Sequence, residues 1–375
     1  MSLQYLVTSY SGLYGLFGHE QKEQKYTCRQ IYPESCFGIA HGLHRTYMFV
    51  GLKFHEDRFR PNHSGIIVSF LMKNNELHDW VLEVPNGLDF TVHQITVNAS
   101  TLYVQETHVQ KIKAFDLDEQ GHVVISRDYA KERVPYLYHD VSLYHEVLSQ
   151  YKGYNDEIKL SIWSCNADNH LNNVESINKL LSPRDVGDLE KATHFRYLPS
   201  YMETTEYDEP RSNYRHVNAM LPTLDGREMY VLSPWIHRKN IYNSNSTAVP
   251  ATILTFSLPE FKKIREVVTD IWSIPHDLLH IPKMSNCVYT VTSDCQIEKI
   301  DVTTGKRVES PIGFENTKEL YKRGLYYDKD RSVFLVGSGN VILEVDGVGN
   351  TISSCPIPCQ PCCILAYKEA RISID

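Results

Sequence analysis

The feature that most constrains this chain is a hairpin that its sequence repeats. Residues 276–291 (HDLLHIPKMSNCVYTV) align without a gap on residues 216–231 (HVNAMLPTLDGREMYV). Each copy opens with a histidine, continues as an apolar-rich strand, makes a polar turn and ends as a second strand. Residues 93–104 (HQITVNASTLYV) follow the same plan with a shorter turn. A chain that repeats one hairpin in this way is expected to build a circular array of small sheets.

Further units extend this pattern along the chain. The segment FGIAHGLHRTYMFVG, from residue 37, aligns on RGLYYDKDRSVFLVG, from residue 323. Candidate innermost strands begin near residues 37, 93, 139, 216, 276, 323 and 362. Seven starts give about 54 residues for each unit, which suits a four-stranded blade with its loops. If the unit at 139 is only an insertion, the count is six.

The two ends of the chain complete each other. The segment CCILAY (362–367) has the composition of a lone innermost strand, and residues 5–32 supply three strands that lack one. Joining them gives one complete four-stranded sheet and removes exposed sheet edges. An insertion over 145–210 is predicted to be partly helical, from the spacing of its apolar residues, and either to cover one mouth of the ring as a lid or to be a variable surface insertion. The whole chain, 1–375, is therefore predicted to be a single all-β domain.

The repeated units resemble a known class of fold. The segments LYVQETHVQKIKAFDLDEQG, from residue 102, and VYTVTSDCQIEKIDVTTGK, from residue 288, are similar to the units of β-propellers. The class that they resemble is the loose one of NHL-type, SMP30-like and quinoprotein-like propellers. The resemblance covers most of the chain and implies a propeller of seven blades, with six as the alternative. It implies a fold and not a reaction.

Histidines open several of the predicted innermost strands. The set is His93, His139, His216 and His276. In a propeller these positions ring one end of the central channel, where imidazole nitrogens suit Fe(II), Zn, Mn or Cu. Asp140, Asn218 and Asp277 follow closely in sequence and are candidates to orient the imidazoles. The alternative explanation is structural, because innermost strands often begin with a polar residue that bonds to a neighbouring blade.

A ring of histidines is similar in type to the sites of two enzyme families. Carotenoid cleavage oxygenases hold Fe(II) in this way, and oligogalacturonate lyases hold Mn with a histidine-rich set. The likeness implies a divalent metal ion, with Fe(II) favoured over Mn or Zn, and a metal-dependent oxygenase or lyase acting on a small organic substrate. One alternative is a metal-free isomerase, cyclase or hydrolase that uses the same histidines as acid and base. Another is a non-catalytic propeller that binds other proteins.

Three further residues are candidates for catalytic roles at the channel: Arg323, His280 and Asp277. Arg323 and Phe37 replace the histidine in their units, so a cation and an aromatic ring are available for a substrate carboxylate and a substrate ring. An interblade salt bridge and core packing are the alternative explanation for these two. His280 shares a strand face with His276 and is expected to line the channel more deeply.

Composition restricts the class of partner. The formal net charge of −8 leaves no basic field for nucleic acid or an anionic membrane. No apolar run approaches the roughly 18 residues that a membrane-spanning helix needs, and the N-terminal residues do not read as a secretory signal, so a cytoplasmic location is predicted. The nine cysteines fit neither a disulfide framework nor a zinc ribbon and are expected to be thiols. The sequence leaves the oligomeric state open.

Overall fold

The computed structural model describes residues 1–19, 25–33, 35–51, 65–88, 92–106, 111–124, 195–197, 213–215, 217–233, 235–237, 250–281, 284–315 and 322–367. Strands, turns and loops account for all of these residues. None of them belongs to a helix that could cross a membrane.

The strands form six antiparallel four-stranded sheets, each a blade of a β-propeller. Blades 1 to 3, from the axis outwards, are β4 Cys36–His41, β5 Thr46–Gly51, β6 Gly65–Lys73 and β7 Glu76–Leu88; β8 Val92–Asn98, β9 Thr101–Glu106, β10 Lys111–Asp116 and β11 Phe195–Tyr197; and β13 Ala219–Pro222, β14 Glu228–Ser233, β16 Thr252–Ser257 and β17 Lys263–Val268. Blades 4 to 6 are β18 Pro275–Ile281, β19 Met284–Thr292, β20 Gln296–Asp301 and β21 Ile312–Gly313; β22 Lys322–Asp328, β23 Val333–Ser338, β24 Val341–Val345 and β25 Thr351–Pro356; and β26 Pro361–Ala366, β1 Ser2–Ser9, β2 Gly12–Gly18 and β3 Tyr26–Tyr32. A two-stranded sheet, β12 Asn213–Arg215 with β15 Trp235–His237, extends the inner hairpin of blade 3.

The innermost strands close into a ring. Each contacts the next, in the order β4, β8, β13, β18, β22, β26 and back to β4. The C-terminal strand β26 pairs with the N-terminal strand β1, so the two chain ends share blade 6 as predicted. This pairing closes the ring with strands from both ends of the chain.

The hydrophobic core is divided into six clusters, one between each pair of neighbouring blades. Strand β5 shows how the sequence achieves this. Tyr47 and Phe49 pack into the cluster shared with blade 2, whereas Met48 and Val50 pack into the cluster shared with blade 6. Side chains alternate between the two faces of a strand, so a blade buried on both faces needs an unbroken apolar run rather than an alternating pattern.

Two sequence predictions need correction or remain outside the described residues. The count of seven blades is wrong, and the alternative of six is confirmed, because the ring of innermost strands already closes with six. The seventh predicted start, at 139, lies outside the described residues, as does most of the predicted insertion at 145–210. The described part of that insertion, Phe195–Tyr197, is not a lid but the outermost strand of blade 2.

Candidate functional site at the channel mouth

Each innermost strand carries one extra residue near its beginning. The register with the second strand of the blade shifts between Cys36 and Ile39, between Val92 and Ile95, between His276 and Leu279, and between Arg323 and Leu325. In blade 6 the extra residue is Cys362, and in blade 3 the Arg215–Trp235 and Ala219–Leu232 pairs are separated by three residues of the first strand against two of the second. Such bulges redirect side chains and are common beside functional sites. All six lie at the same end of the ring, here called the channel mouth.

Side chains at three of these bulges bind the next blade. The Oε1 atom of Gln94 accepts a hydrogen bond of 2.5 Å from the Met220 N–H, which joins blade 2 to blade 3. The Nδ2 atom of Asn218 donates to the Pro275 carbonyl oxygen over 2.7 Å, joining blade 3 to blade 4. The Oδ2 atom of Asp277 accepts a hydrogen bond of 2.8 Å from the Gly324 N–H, joining blade 4 to blade 5. Asn218 and Asp277 thus have interblade partners, and the role in orienting neighbouring histidines stays a prediction.

The other three interblade interfaces at the channel mouth depend on close approach of a glycine to the next blade or on a hydroxyl group. A Cβ atom on Gly38 would lie 2.7 Å from the Ile95 nitrogen of blade 2, so only glycine fits there. Gly324 has a φ of +76°, and a Cβ on it would lie 3.0 Å from Ile364 of blade 6. Between blades 6 and 1, the Thr8 hydroxyl donates to the Phe37 carbonyl oxygen. The ring is therefore tightly bonded at the level of the bulges.

A cation and two aromatic rings meet at the channel mouth. The Nη1 atom of Arg323, in blade 5, donates to the Tyr10 hydroxyl oxygen over 3.3 Å. Tyr10 lies in the turn between β1 and β2 of blade 6, and its ring meets the Phe37 ring of blade 1 edge-on, with centroids 4.9 Å apart. Arg323 and Phe37 both remain partly exposed. Three blades thus place a guanidinium group beside an aromatic wall.

Asp277, in blade 4, contacts the backbone next to Arg323 through the Gly324 N–H. Its backbone adopts a φ of +59°, in the left-handed region, which aspartate tolerates better than most residues. Desolvation raises the pKa of its carboxyl to about 7, against the hydrogen bond from Gly324 and the charge of Arg323, which both lower it. The carboxyl group is therefore close to its midpoint of ionisation at neutral pH.

Blades 6 and 2 also approach each other at the channel mouth. The Cys363 thiol of blade 6 lies 3.9 Å from the His93 carbonyl oxygen of blade 2. Burial raises the pKa of the Cys363 thiol well above its ordinary value, so this group is a neutral donor.

The two described histidines of the predicted metal set do not occupy equivalent positions. His93 lies inside the bulge of β8 and is partly exposed, whereas His276 precedes the bulge of β18 and is only 3% exposed. His139 and His216 lie outside the described residues. No group of three or more His, Cys, Asp or Glu side chains among the described residues is arranged to hold a metal ion. The four-histidine site stays a prediction.

His280 lies toward the opposite end of β18, where it bonds to the preceding blade. Its Nε2 atom lies 2.6 Å from the Pro222 carbonyl oxygen of blade 3, and burial lowers its pKa, so the ring is a neutral donor. His41 makes the same kind of contact at the corresponding end of β4, where Nε2 lies 2.8 Å from the Ala366 carbonyl oxygen of blade 6. Both histidines therefore bond to a neighbouring blade, and the predicted catalytic role of His280 stays a prediction.

Sequence reasoning missed Tyr10 and Gln94. Tyr10 follows a predicted strand and has the appearance of an ordinary turn residue, and only the pairing of β1 with β26 brings that turn to the channel mouth. Gln94 follows His93 directly, and a polar pair at the start of an innermost strand was the available signal. Nothing in the local sequence marks the bulges themselves.

Comparison with known proteins supports the fold alone. No protein-family profile matches the chain, and no characterised protein matches it in sequence. Among solved structures, a nidogen/laminin complex chain is similar with a TM-score of 0.51 and 9% identity, covering 97% of each chain. A Bacteroides fragilis protein thought to be a 6-phosphogluconolactonase gives 0.49 and 13%, covering 98% of each chain. The periplasmic gluconolactonase PpgL of Pseudomonas aeruginosa gives 0.49 and 11%, covering 98% of this chain and 99% of its own. The sheet topology and the closed ring of innermost strands establish a β-propeller, and the similarity to the nidogen/laminin complex chain supports that fold.

Proposed function

We propose that this protein is an enzyme that binds a small organic anion with an aromatic or apolar part at the channel mouth and acts on it by proton transfer. The reaction classes that fit are those of a metal-free isomerase, cyclase or hydrolase. The observation that carries the proposal is the contact of Tyr10 with both Arg323 and Phe37. Through these contacts, a positive charge that can bind a carboxylate lies beside an aromatic surface that can pack against a ring.

Arg323 has the properties of an anion-binding group. A guanidinium group carries a fixed positive charge and presents several N–H donors in one plane, which suits a carboxylate or a phosphate. Burial has the larger effect on the pKa of the Asp277 carboxyl and raises it, whereas the Arg323 charge lowers it. An anionic ligand at the mouth would gain a charge-assisted interaction with the guanidinium group.

Asp277 and His93 are the groups suited to proton transfer. The Asp277 carboxyl bonds to the peptide N–H that follows Arg323, so a ligand held by the guanidinium group would lie close to it. A carboxyl group whose pKa is near the operating pH can both accept and return a proton. His93 is partly exposed at the same mouth and offers a second titratable group.

Phenylpyruvate is a suitable probe, because it combines a carboxylate, a ring and exchangeable methylene protons. Binding is measured by thermal shift, and proton transfer by deuterium incorporation into the methylene group, followed by NMR. Arg323→Gln is expected to weaken binding about tenfold or more, since it removes a charge-assisted interaction. Asp277→Asn is expected to slow exchange while binding is retained.

Two controls make this experiment decisive. Arg227→Gln removes an arginine whose side chain is 85% exposed and distant from the mouth, and it should change nothing. Benzyl alcohol retains the ring without the carboxylate and should bind more weakly than phenylpyruvate. Equal binding of phenylpyruvate to the Arg323→Gln variant would contradict the anion site. Binding without any faster exchange would contradict the catalytic part.

A metal-dependent oxygenase or lyase at the same mouth is the second candidate that the sequence offers. Its support is His93 at the mouth, together with His216 immediately before the described start of blade 3. Elemental analysis after reconstitution with Fe(II), Mn or Zn separates the two candidates. Stoichiometric metal that is lost in His216→Ala would favour the metal-dependent enzyme, whereas exchange activity that survives chelation favours the metal-free one.

A further inference from the structure

A pair of thiols lies where the ring is closed. Blade 6 is built from both chain ends, and its outermost strand β3 contacts β25, the outermost strand of blade 5. Cys28 lies on β3 and Cys355 lies on β25. No part of the proposed channel-mouth site involves either residue.

The two thiols are in direct contact. They share a hydrogen bond, and both lie in the hydrophobic cluster between blades 5 and 6. The Cys355 sulfur also lies 3.8 Å from the carbonyl oxygen of Tyr26, two residues before Cys28 on the same strand. Cys355 is 1% exposed, whereas Cys28 is partly exposed at the rim of the cluster.

We propose that Cys28 and Cys355 are a redox-sensitive pair, which hydrogen peroxide converts into a disulfide that joins blade 5 to blade 6. Cysteines on adjacent packed blades come into contact only where they face each other across the interface. Cys28 and Cys355 do so, on neighbouring outermost strands and within one hydrophobic cluster.

The reaction balances with peroxide as the sole oxidant. A thiolate of the pair attacks one peroxide oxygen, which forms a sulfenic acid and releases water after proton transfer. The second sulfur then displaces the sulfenic hydroxyl group, which leaves as water, and the S–S bond forms. Two thiols and one peroxide thus give one disulfide and two waters. The hydrogen bond from Cys28 lowers the pKa of Cys355, which supplies the thiolate character that this chemistry needs.

The expected consequence is a more stable ring closure. The disulfide would link residues near opposite ends of the chain, and a cross-link that closes a long loop restricts the unfolded ensemble most. We expect the oxidised protein to melt roughly 5 °C higher than the reduced protein. Reduction by a dithiol should restore the lower melting temperature.

The experiment treats the full chain with hydrogen peroxide and maps disulfides by mass spectrometry without reduction. A peptide that joins Cys28 to Cys355 is expected, together with the rise in melting temperature. Cys28→Ser and Cys355→Ala should both abolish the cross-link and the rise. Cys359→Ser is the matched control, because Cys359 is also partly exposed, and it should leave both effects intact.

Two results would overturn the proposal. One is peroxide-treated protein in which Cys28 is a sulfinic acid or still a free thiol, with no cross-linked peptide. The other is a cross-link between a different pair of cysteines. Because Cys28 is partly exposed, Cys28→Ser is expected to fold even if a substitution at Cys355 does not, so the test does not depend on one variant.

Discussion

The bulges of blades 3 and 4 each hold the next blade by one side-chain hydrogen bond, but the side chain is the donor in one and the acceptor in the other. Asn218 in blade 3 donates a hydrogen bond to a carbonyl oxygen of the next blade, whereas Asp277 in blade 4 accepts one from a backbone N–H. A position that uses an acceptor tolerates a carboxyl group, and a position that needs a donor does not. The comparison explains why a carboxyl group is compatible with the link of blade 4, beside Arg323, and not with the link of blade 3.

Placing a carboxylate in blade 3 should cause the largest loss of stability. Asn218→Asp removes the donor and sets a negative charge against the Pro275 carbonyl oxygen at a site that is only 4% exposed. We expect a loss of about 2–3 kcal/mol in the free energy of unfolding at pH 8. Chemical denaturation of the variant and the wild type at the same pH measures this difference.

The same variant carries its own control. Burial raises the pKa of the introduced carboxyl, so protonation near pH 4 restores an O–H donor and should recover part of the lost stability relative to wild type. A loss of stability that is equal at pH 4 and pH 8 would show that the charge and the missing donor are not the cause. Asn218→Ala, which removes the bond without adding charge, should cost about 1 kcal/mol at both pH values.

The reciprocal substitution, Asp277→Asn, should raise the free energy of unfolding, by less than Asn218→Asp lowers it. The pKa of the Asp277 carboxyl is about 7 in the folded protein against an ordinary value of 3.8, so the folded state holds a proton that the unfolded state releases. The stability contribution of this group is therefore highest below pH 4 and falls as the pH rises to about 7. The asparagine Oδ1 atom can still accept from the Gly324 N–H.

We expect the Asp277→Asn variant to be more stable than wild type by about 2 kcal/mol at pH 8 and equal to it near pH 4. The expected gain is below the full value of the pKa difference because Asp277 retains some exposure to channel water. Unfolding free energies measured from pH 4 to 8 give the two curves. Parallel curves would mean that Asp277 does not titrate in this range, which would also weaken its proposed role in proton transfer.

Part of this arrangement was predictable from the sequence. The repeated hairpins and the incomplete sheets at the two ends predicted the propeller and its closure, because both are visible as patterns along the chain. The positions of side chains at the mouth were not predictable. A one-residue bulge moves every later side chain to the other face of its strand, and an alignment that begins both units at the histidine, His93 or His276, assumes that their bulges begin at the same residue. The blade count failed for a related reason, since one strand-like segment near 139 could not be distinguished from an insertion.

The smallest effect is expected in blade 2, where Gln94 uses an acceptor as Asp277 does. Gln94→Glu keeps an oxygen that can accept from the Met220 N–H, and residue 94 is partly exposed, so the new charge is partly hydrated. We expect a change below about 0.5 kcal/mol in the free energy of unfolding at pH 8. Chemical denaturation of Gln94→Glu and Asn218→Asp, each against the wild type, measures the difference between the two positions. A loss as large as that of Asn218→Asp would mean that any added carboxylate destabilises the mouth, and the distinction between donor and acceptor positions would then be wrong.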